Sequence, residues 1–225
     1  MLFGKVIDKW IASTDAKPGS IKVLDAGCGD GINGSVLKKL LSERVVNCDI
    51  IGCDYNSLRV ERARSQGYEG IVQADLLQLP VEDNDFDLVL CSHVLEHIPQ
   101  DEECLRELKR VLKPNGLLIL AVPNEGCFIA TLRNRFIQRS ILHTTDHVNF
   151  YTDKKFELLI RQVGLKPITK VMRHGNFMPH LRLDLLLREY SWGRKFLDLI
   201  RMCIPSQCGG LVFGLTKAKQ SESLF

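Results

Sequence analysis

The sequence has no long hydrophobic run. Its longest, Leu117–Val122, is far too short to span a bilayer, which excludes a membrane-crossing helix. The start, MLFGKVIDKW, places a lysine and an aspartate among its apolar residues and so lacks the continuous apolar core of a secretory signal. The expected compartment is the cytoplasm. Excess charge is also missing. A formal net charge of +3 is too small to argue for a nucleic-acid partner. None of the eight cysteines (28, 48, 53, 91, 104, 127, 203 and 208) forms a C-x-x-C pair, so the usual zinc spacing is absent, as is the iron–sulfur spacing of a radical enzyme. No group of residues calls for a metal. Cys53 and Cys91 fall inside apolar runs and read as small buried hydrophobes. Internal repeats, low-complexity segments and a clear linker are absent too.

What remains is an ordinary globular composition. The chain has 225 residues, 45% hydrophobic and 25% charged, enough for one generous domain. The stretch Val23–Gly31, VLDAGCGDG, organises it. A buried strand runs into glycines at every second position (Gly27, Gly29, Gly31), where a ligand can approach bare backbone N–H groups. Phe3–Ser13 reads as an amphipathic helix over the sheet edge. Strands follow at Ile21–Ala26, Asp49–Cys53, Gly70–Gln73, Phe86–Cys91 and Leu117–Val122. Helices at Ile32–Ser42, Leu58–Gln66 and Gln100–Leu112 lie between them. Lys154–Val163 is a further helix, Leu165–Met172 a sixth strand and Gly209–Thr216 the last. This alternation predicts an α/β fold with a doubly wound, mostly parallel, seven-stranded sheet. Residues 125–147 and 176–206 are helical cap insertions on a single domain, the second broken near Trp192-Gly193.

In such a sheet the ligand lies beyond the carboxyl ends of the strands. The residues there are the glycine turn, Asp54-Tyr55-Asn56, Asp75-Leu76, Ser92-His93 and Pro123-Asn124. One acid after a strand is usually a helix cap. Three acids, Asp25, Asp54 and Asp75, on successive strand ends beside a glycine turn favour ligand binding. Gly29–Gly34, GDGING, formally matches the dinucleotide fingerprint, with Asp54 where a ribose acid belongs. Against an NAD(P)-dependent oxidoreductase, the glycines begin at Gly27, and Asp25 stands where that pattern expects an apolar residue.

VLDAGCGDG, IIGCDYN, VQADLLQLP, FDLVLCSHVLEHI and LRELKRVLKPNGLLILAVPN together resemble the class I S-adenosylmethionine (SAM)-dependent methyltransferases, of the small-molecule group that includes the ubiquinone and menaquinone methyltransferases. The resemblance covers about Lys22–Leu165. It implies a Rossmann-like methyltransferase fold with SAM as cofactor. The glycine turn would pass under the methionine part, with Asp25 near its amino group. Asp54 would accept from both ribose hydroxyls, Tyr55 or the following residues would pack beside the adenine, and Asp75 and the Leu76 backbone N–H would serve its ring. Ser92 and His93 would lie near the transferable methyl; for His93, simple packing stands almost level with that role. Glu96-His97, a family hallmark, reads as a structural helix-start pair.

The implied reaction is methyl transfer to a small-molecule acceptor, with oxygen expected as the methylated atom. An N-P-P-Y or D-P-P-Y tetrad, which would favour a nucleic-acid acceptor, is absent where CSHVLEHI stands. His147, in DHVNF, is the candidate base for an acceptor hydroxyl. Its structural alternative is a hydrogen-bonding link that fixes the loop, and His143 is a weaker candidate base. The caps mix Phe128, Ile129, Phe136 and Ile137 with Arg133, Arg135 and Arg139, and leucines with Arg182, Arg188, Arg194 and Arg201. Ordinary packed amphipathic helices account for this pattern. A basic, apolar-rimmed mouth for an acidic or lipid-like acceptor, with peripheral membrane contact, is the sharper alternative. A non-catalytic SAM-binding protein is the remaining functional alternative.

Overall fold

The computed structural model describes residues 2–13, 19–45, 47–137, 146–174 and 186–218. His143, Arg139 and Arg182, with parts of both cap insertions, lie outside the described residues. The element order is α1 (Leu2–Ser13), β1 (Ser20–Ala26), α2 (Ile32–Ser42), β2 (Asn47–Asp54), α3 (Ser57–Ala63), β3 (Gly70–Gln73), β4 (Phe86–Ser92), α4 (Asp101–Val111), β5 (Leu112–Pro123), α5 (Phe128–Leu132), α6 (Asp153–Gln162), β6 (Leu165–Pro167), β7 (Met172–His174), α7 (Ser191–Cys203) and β8 (Gly210–Lys217). A 3₁₀ turn, Leu95–His97, follows β4.

The strands form one sheet in the order β3-β2-β1-β4-β5-β8-β6, with β7 also on β8. The pairings from β3 through β5 are parallel, and β8 runs antiparallel to β5, β6 and β7. The expected sixth strand, Leu165–Met172, is therefore two short pieces on one edge of β8. Between them Ile168 N still donates to Gly214 O at 2.9 Å. Counted as one interrupted strand, they complete the seven-stranded arrangement.

Period-two alternation assigns the strand side chains to two cores. Val23, Leu88, Leu90 and Ile119 face one side, and Leu24, Val89, Leu118 and Leu120 the other. Both faces are covered, so β4 and β5 are nearly continuous apolar runs. Helix α1 packs on the face over β5 and β8 rather than on an edge. It buries Val6, Ile7 and Trp10, and Trp10 Nε1 donates to Asn115 O at 2.9 Å. Each such side chain contributes roughly 2 kcal/mol of burial. Gly214 makes the approach possible, since a Cβ there would lie 2.4 Å from Val6.

Helix α3 begins one residue before the expected Leu58. The Asn56 side chain caps it, accepting from Leu58 N and Arg59 N. The break expected near Trp192 falls at Tyr190, between a helical turn over 186–189 and α7. A Cβ at Gly193 would lie 2.1 Å from Leu187 O, which explains glycine beside that break.

Candidate active site

The carboxyl ends of β1, β2 and β4 converge on the glycine turn. Gly27, Gly29 and Gly31 all have positive φ, at 75°, 55° and 89°. Gly27 N and Cys28 N both donate to Cys53 O at 2.8 Å, which pins the turn to the end of β2. The three glycines answer different needs. A Cβ at Gly27 would lie 2.4 Å from the Val94 side chain, and one at Gly31 would lie 2.7 Å from Gln66. At Gly29 nothing lies within 4 Å. Gly27 and Gly31 therefore serve packing, and Gly29 presents bare backbone to open space.

Asp54 sits beside that opening and is 7% exposed. Its two carboxylate oxygens accept from Gly29 N and Asn56 N, each at 2.9 Å. A carboxylate offers about four acceptor positions, so Asp54 can staple the turn and still accept from a ligand hydroxyl. Tyr55 stands exposed next to it. Asp75 is exposed at the next strand end, closing a turn by accepting from Leu77 N at 2.9 Å, and Leu76 is buried behind it.

Asp25, expected near the ligand's amino group, stands near the carboxyl end of β1. It is fully buried. Tyr68 Oη donates to it at 2.6 Å and Asn33 Nδ2 at 3.5 Å. Burial pushes its carboxyl up to about 6, against the lowering effect of those two bonds. Following Ile21 and Val23 on the α2 face of β1, it supports the turn from beneath. Burial also raises the thiols of Cys28 and Cys53 beside it to about 12, so both are inert.

Ser92 and His93 end β4. His93 has a left-handed φ of 57°, fixed by its N–H bond to Ala121 O at 2.8 Å. With Leu2, Phe3, His174 and Val212 they line a largely apolar cavity of ≈ 350 Å³. Asn124 belongs to the scaffold. It is buried, and its Nδ2 donates to Ser206 O and Cys208 O at 2.9 Å each.

Glu96 and His97 lie in the 3₁₀ turn rather than at a helix start, because α4 begins at Asp101. The Glu96 side chain is 1% exposed. Its Oε1 is 3.3 Å from His93 Nδ1, while Oε2 has no hydrogen-bond partner. The 146–150 segment docks here through its backbone: Val148 N and Asn149 N donate to Glu96 O at 2.8 and 3.0 Å. That docking sets the His147 ring edge-on to His97, with centroids 4.7 Å apart. His147 Nδ1 lies 2.6 Å from Glu125 Oε2. Glu96, His97 and His147 thus bring possible ligand atoms within 4.8 Å of one another. Sequence spacing gave no hint of this, since the contact depends on a loop folding back onto β4.

The described parts of the caps bury Ala130, Leu187 and Leu197 and expose Phe128, Phe136, Trp192, Phe196, Leu199 and Met202. Among the described residues no helix is long and apolar enough to cross a membrane.

Residues 24–120 match the methyltransferase-domain family. The match over these residues is to the class I SAM-dependent methyltransferases. SAM is the cofactor this family implies, and the match decides against the NAD(P) alternative. The open backbone at Gly29 beside the spare acceptor capacity of Asp54 fits such a molecule. The chain is 27% identical over 168 residues to the ubiquinone biosynthesis O-methyltransferase of Bordetella bronchiseptica, covering 70% of this chain and 67% of that one. The chain spans about half the length of other curated relatives it matches, 44% and 48% in two cases. Its fold is similar to that of a TehB-like SAM-dependent methyltransferase from Corynebacterium glutamicum (TM-score 0.54, 20% identity, covering 95% of this chain and 86% of that one). It is also similar to that of the [4+2]-cyclase SpnF (TM-score 0.61, 18% identity, covering 96% and 81%). A cyclase on the same fold shows that architecture alone does not fix the chemistry.

Proposed function

We propose that the protein transfers a methyl group from SAM to a hydroxyl oxygen of a small, largely apolar acceptor. The observation that carries this reading is the adjacency of two spaces. Gly27, two residues before the open backbone of Gly29 in the same turn, packs against Val94, and the nearby Ser92 and His93 line the apolar cavity. When bound, SAM supplies an electrophilic methyl and a sulfide leaving group.

The chain's own residues bind, align and exclude water. Asp54 accepts from the ribose hydroxyls, with charge-assisted bonds. Gly29 lets the methionine part lie close to the backbone, on a turn that Asp25 holds from beneath. Tyr55 flanks the adenine, and Asp75 with the Leu76 N–H holds its polar edge. Ser92 and His93 border the methyl, and Leu2, Phe3 and Val212 keep water from the acceptor. His147 acts on the acceptor hydroxyl, with Glu125 fixing its ring. The exposed apolar residues of the caps favour an apolar or lipid-like acceptor over a highly charged one. The preference for oxygen is supported by likeness to a ubiquinone biosynthesis O-methyltransferase. Cysteines buried without a disulfide, such as Cys53, Cys91 and Cys104, suit a reducing compartment such as the cytoplasm.

The test is transfer of labelled methyl from SAM to a panel of phenolic and lipid hydroxyl acceptors by wild type and His147→Ala. The reading expects label on oxygen, and a variant that loses turnover but keeps affinity for S-adenosylhomocysteine. Full turnover by the variant would remove His147 from the chemistry. Cofactor binding without transfer to any acceptor would favour the non-catalytic alternative.

A further inference from the structure

The Glu96–His97–His147 cluster is more than the scaffold needs. The 146–150 segment is already tied down by two backbone bonds to Glu96 O. Asn149 Nδ2 adds bonds to Leu95 O and Ile98 O at 3.1 and 2.7 Å. The Tyr151 hydroxyl donates to Asp101 at 2.8 Å. None of these uses the Glu96 carboxylate or either imidazole. Yet Glu96 is buried with Oε2 unpartnered, which costs free energy unless something else satisfies it. His97 Nδ1 is likewise buried and makes no hydrogen bond, although Asp146 Oδ1 lies 3.0 Å away.

The cluster's surroundings have the form of an ion site. Histidines that ligate metals hand their other ring nitrogen to a carboxylate, which fixes ring and tautomer. Glu125 stands in that relation to His147, at 2.6 Å from Nδ1. With Nδ1–H donated to Glu125, the ring's lone pair is on Nε2. A tetrahedral or octahedral ion with bonds of roughly 2.0–2.2 Å needs ligand atoms about 3–3.5 Å apart. The 4.8 Å limit on this cluster leaves only side-chain rotation to close the gap.

We propose that Glu96, His97 and His147 bind one divalent transition-metal ion. Two imidazoles and one carboxylate suit ions of the zinc or cobalt type better than magnesium, which takes oxygen ligands. Glu96 Oε1 also lies 3.3 Å from Nδ1 of His93, which lines the acceptor cavity. The ion's role there rests on the O-methyltransferase reading. It would lower the pKa of an acceptor hydroxyl, whose proton leaves to solvent. The new O–C bond then forms as the cofactor's S–C bond breaks. His147 would then act through the ion rather than by taking the proton itself.

The experiment reads ion binding without turnover. Chelator-treated protein is titrated with Zn²⁺, Co²⁺ and Mg²⁺ by calorimetry, in a Cys203→Ser background that removes the exposed thiol. One Zn²⁺ or Co²⁺ per chain is expected, with Co²⁺ absorption free of thiolate charge transfer. Glu96→Gln and His147→Ala should weaken binding at least a hundredfold, and Glu125→Gln by about 10–100-fold, as for outer-shell partners. Thermal melts and S-adenosylhomocysteine affinity confirm that each variant is folded. Equal ion affinity in wild type and variants, a thiolate band, or no ion binding by a folded wild type would overturn the proposal. In that last case, intact turnover leaves the O-methyltransferase reading standing. Ion binding without methyl transfer leaves the ion site standing and removes the reading instead.

Discussion

Glu125 Oε2 lies 2.6 Å from His147 Nδ1, joining the two ends of the first cap insertion. The contact gives the acceptor side of the site a ring of defined orientation, whether that ring takes a proton or holds an ion. Glu125→Gln should lower turnover about 10–100-fold, with S-adenosylhomocysteine affinity unchanged within twofold. Steady-state kinetics and calorimetry on the same preparation check both halves.

The glycines of the turn separate stability from binding. Gly27→Ala meets both a positive φ and the Val94 side chain at 2.4 Å. It should cost about 2–4 kcal/mol in urea denaturation, the sum of left-handed strain and overpacking. Gly29→Ala has open space and pays only for its φ, about 1–2 kcal/mol. Its methyl should fill the place where the cofactor lies, so cofactor affinity should fall at least tenfold.

Asp25 makes stability fall with rising pH. Its carboxyl titrates near 3.8 in the unfolded chain and at about 6 in the fold. Between those values the native state holds the extra proton, so its contribution to stability is lost as pH rises through that window. Asp25→Asn keeps an acceptor for Tyr68 and carries no charge. The stability of the variant relative to wild type should improve from pH 4 to pH 7, by on the order of 3 kcal/mol. Urea titrations of the cofactor-free protein at the two pH values measure it.

Asn124 ties the end of β5 to the start of β8. Asn124→Ala removes a donor from the Ser206 carbonyl and strands the buried Cys208 carbonyl, and should cost about 1–3 kcal/mol. S-adenosylhomocysteine affinity should not change, which separates this scaffold role from contact with cofactor.

The sheet was legible because its strands obey simple patterns: apolar runs closed by Asp54, Ser92 and Pro123, with the glycine turn after β1. Asp54 and Gly29 stand where the strand ends predict. The role of Asp25 was also within reach of the pattern, since alternation from Ile21 through Val23 puts it on the α2 face. The interruption between β6 and β7 was not, because nothing in KPITKVM marks which residues leave the ladder. Nor was the meeting of His147 with Glu96 and His97. It depends on Val148 and Asn149 bonding a carbonyl of the 3₁₀ turn, a tertiary contact without local signature.

The central claim is that the Gly29–Asp54 opening is a SAM site. Calorimetric titration of wild type and Asp54→Ala with S-adenosylhomocysteine, and of wild type with NAD⁺, tests it most directly. One S-adenosylhomocysteine per wild-type chain, at least tenfold weaker binding by a folded Asp54→Ala, and no heat with NAD⁺ are the predicted results. NAD⁺ binding in place of S-adenosylhomocysteine, or undiminished affinity in the variant, would contradict it.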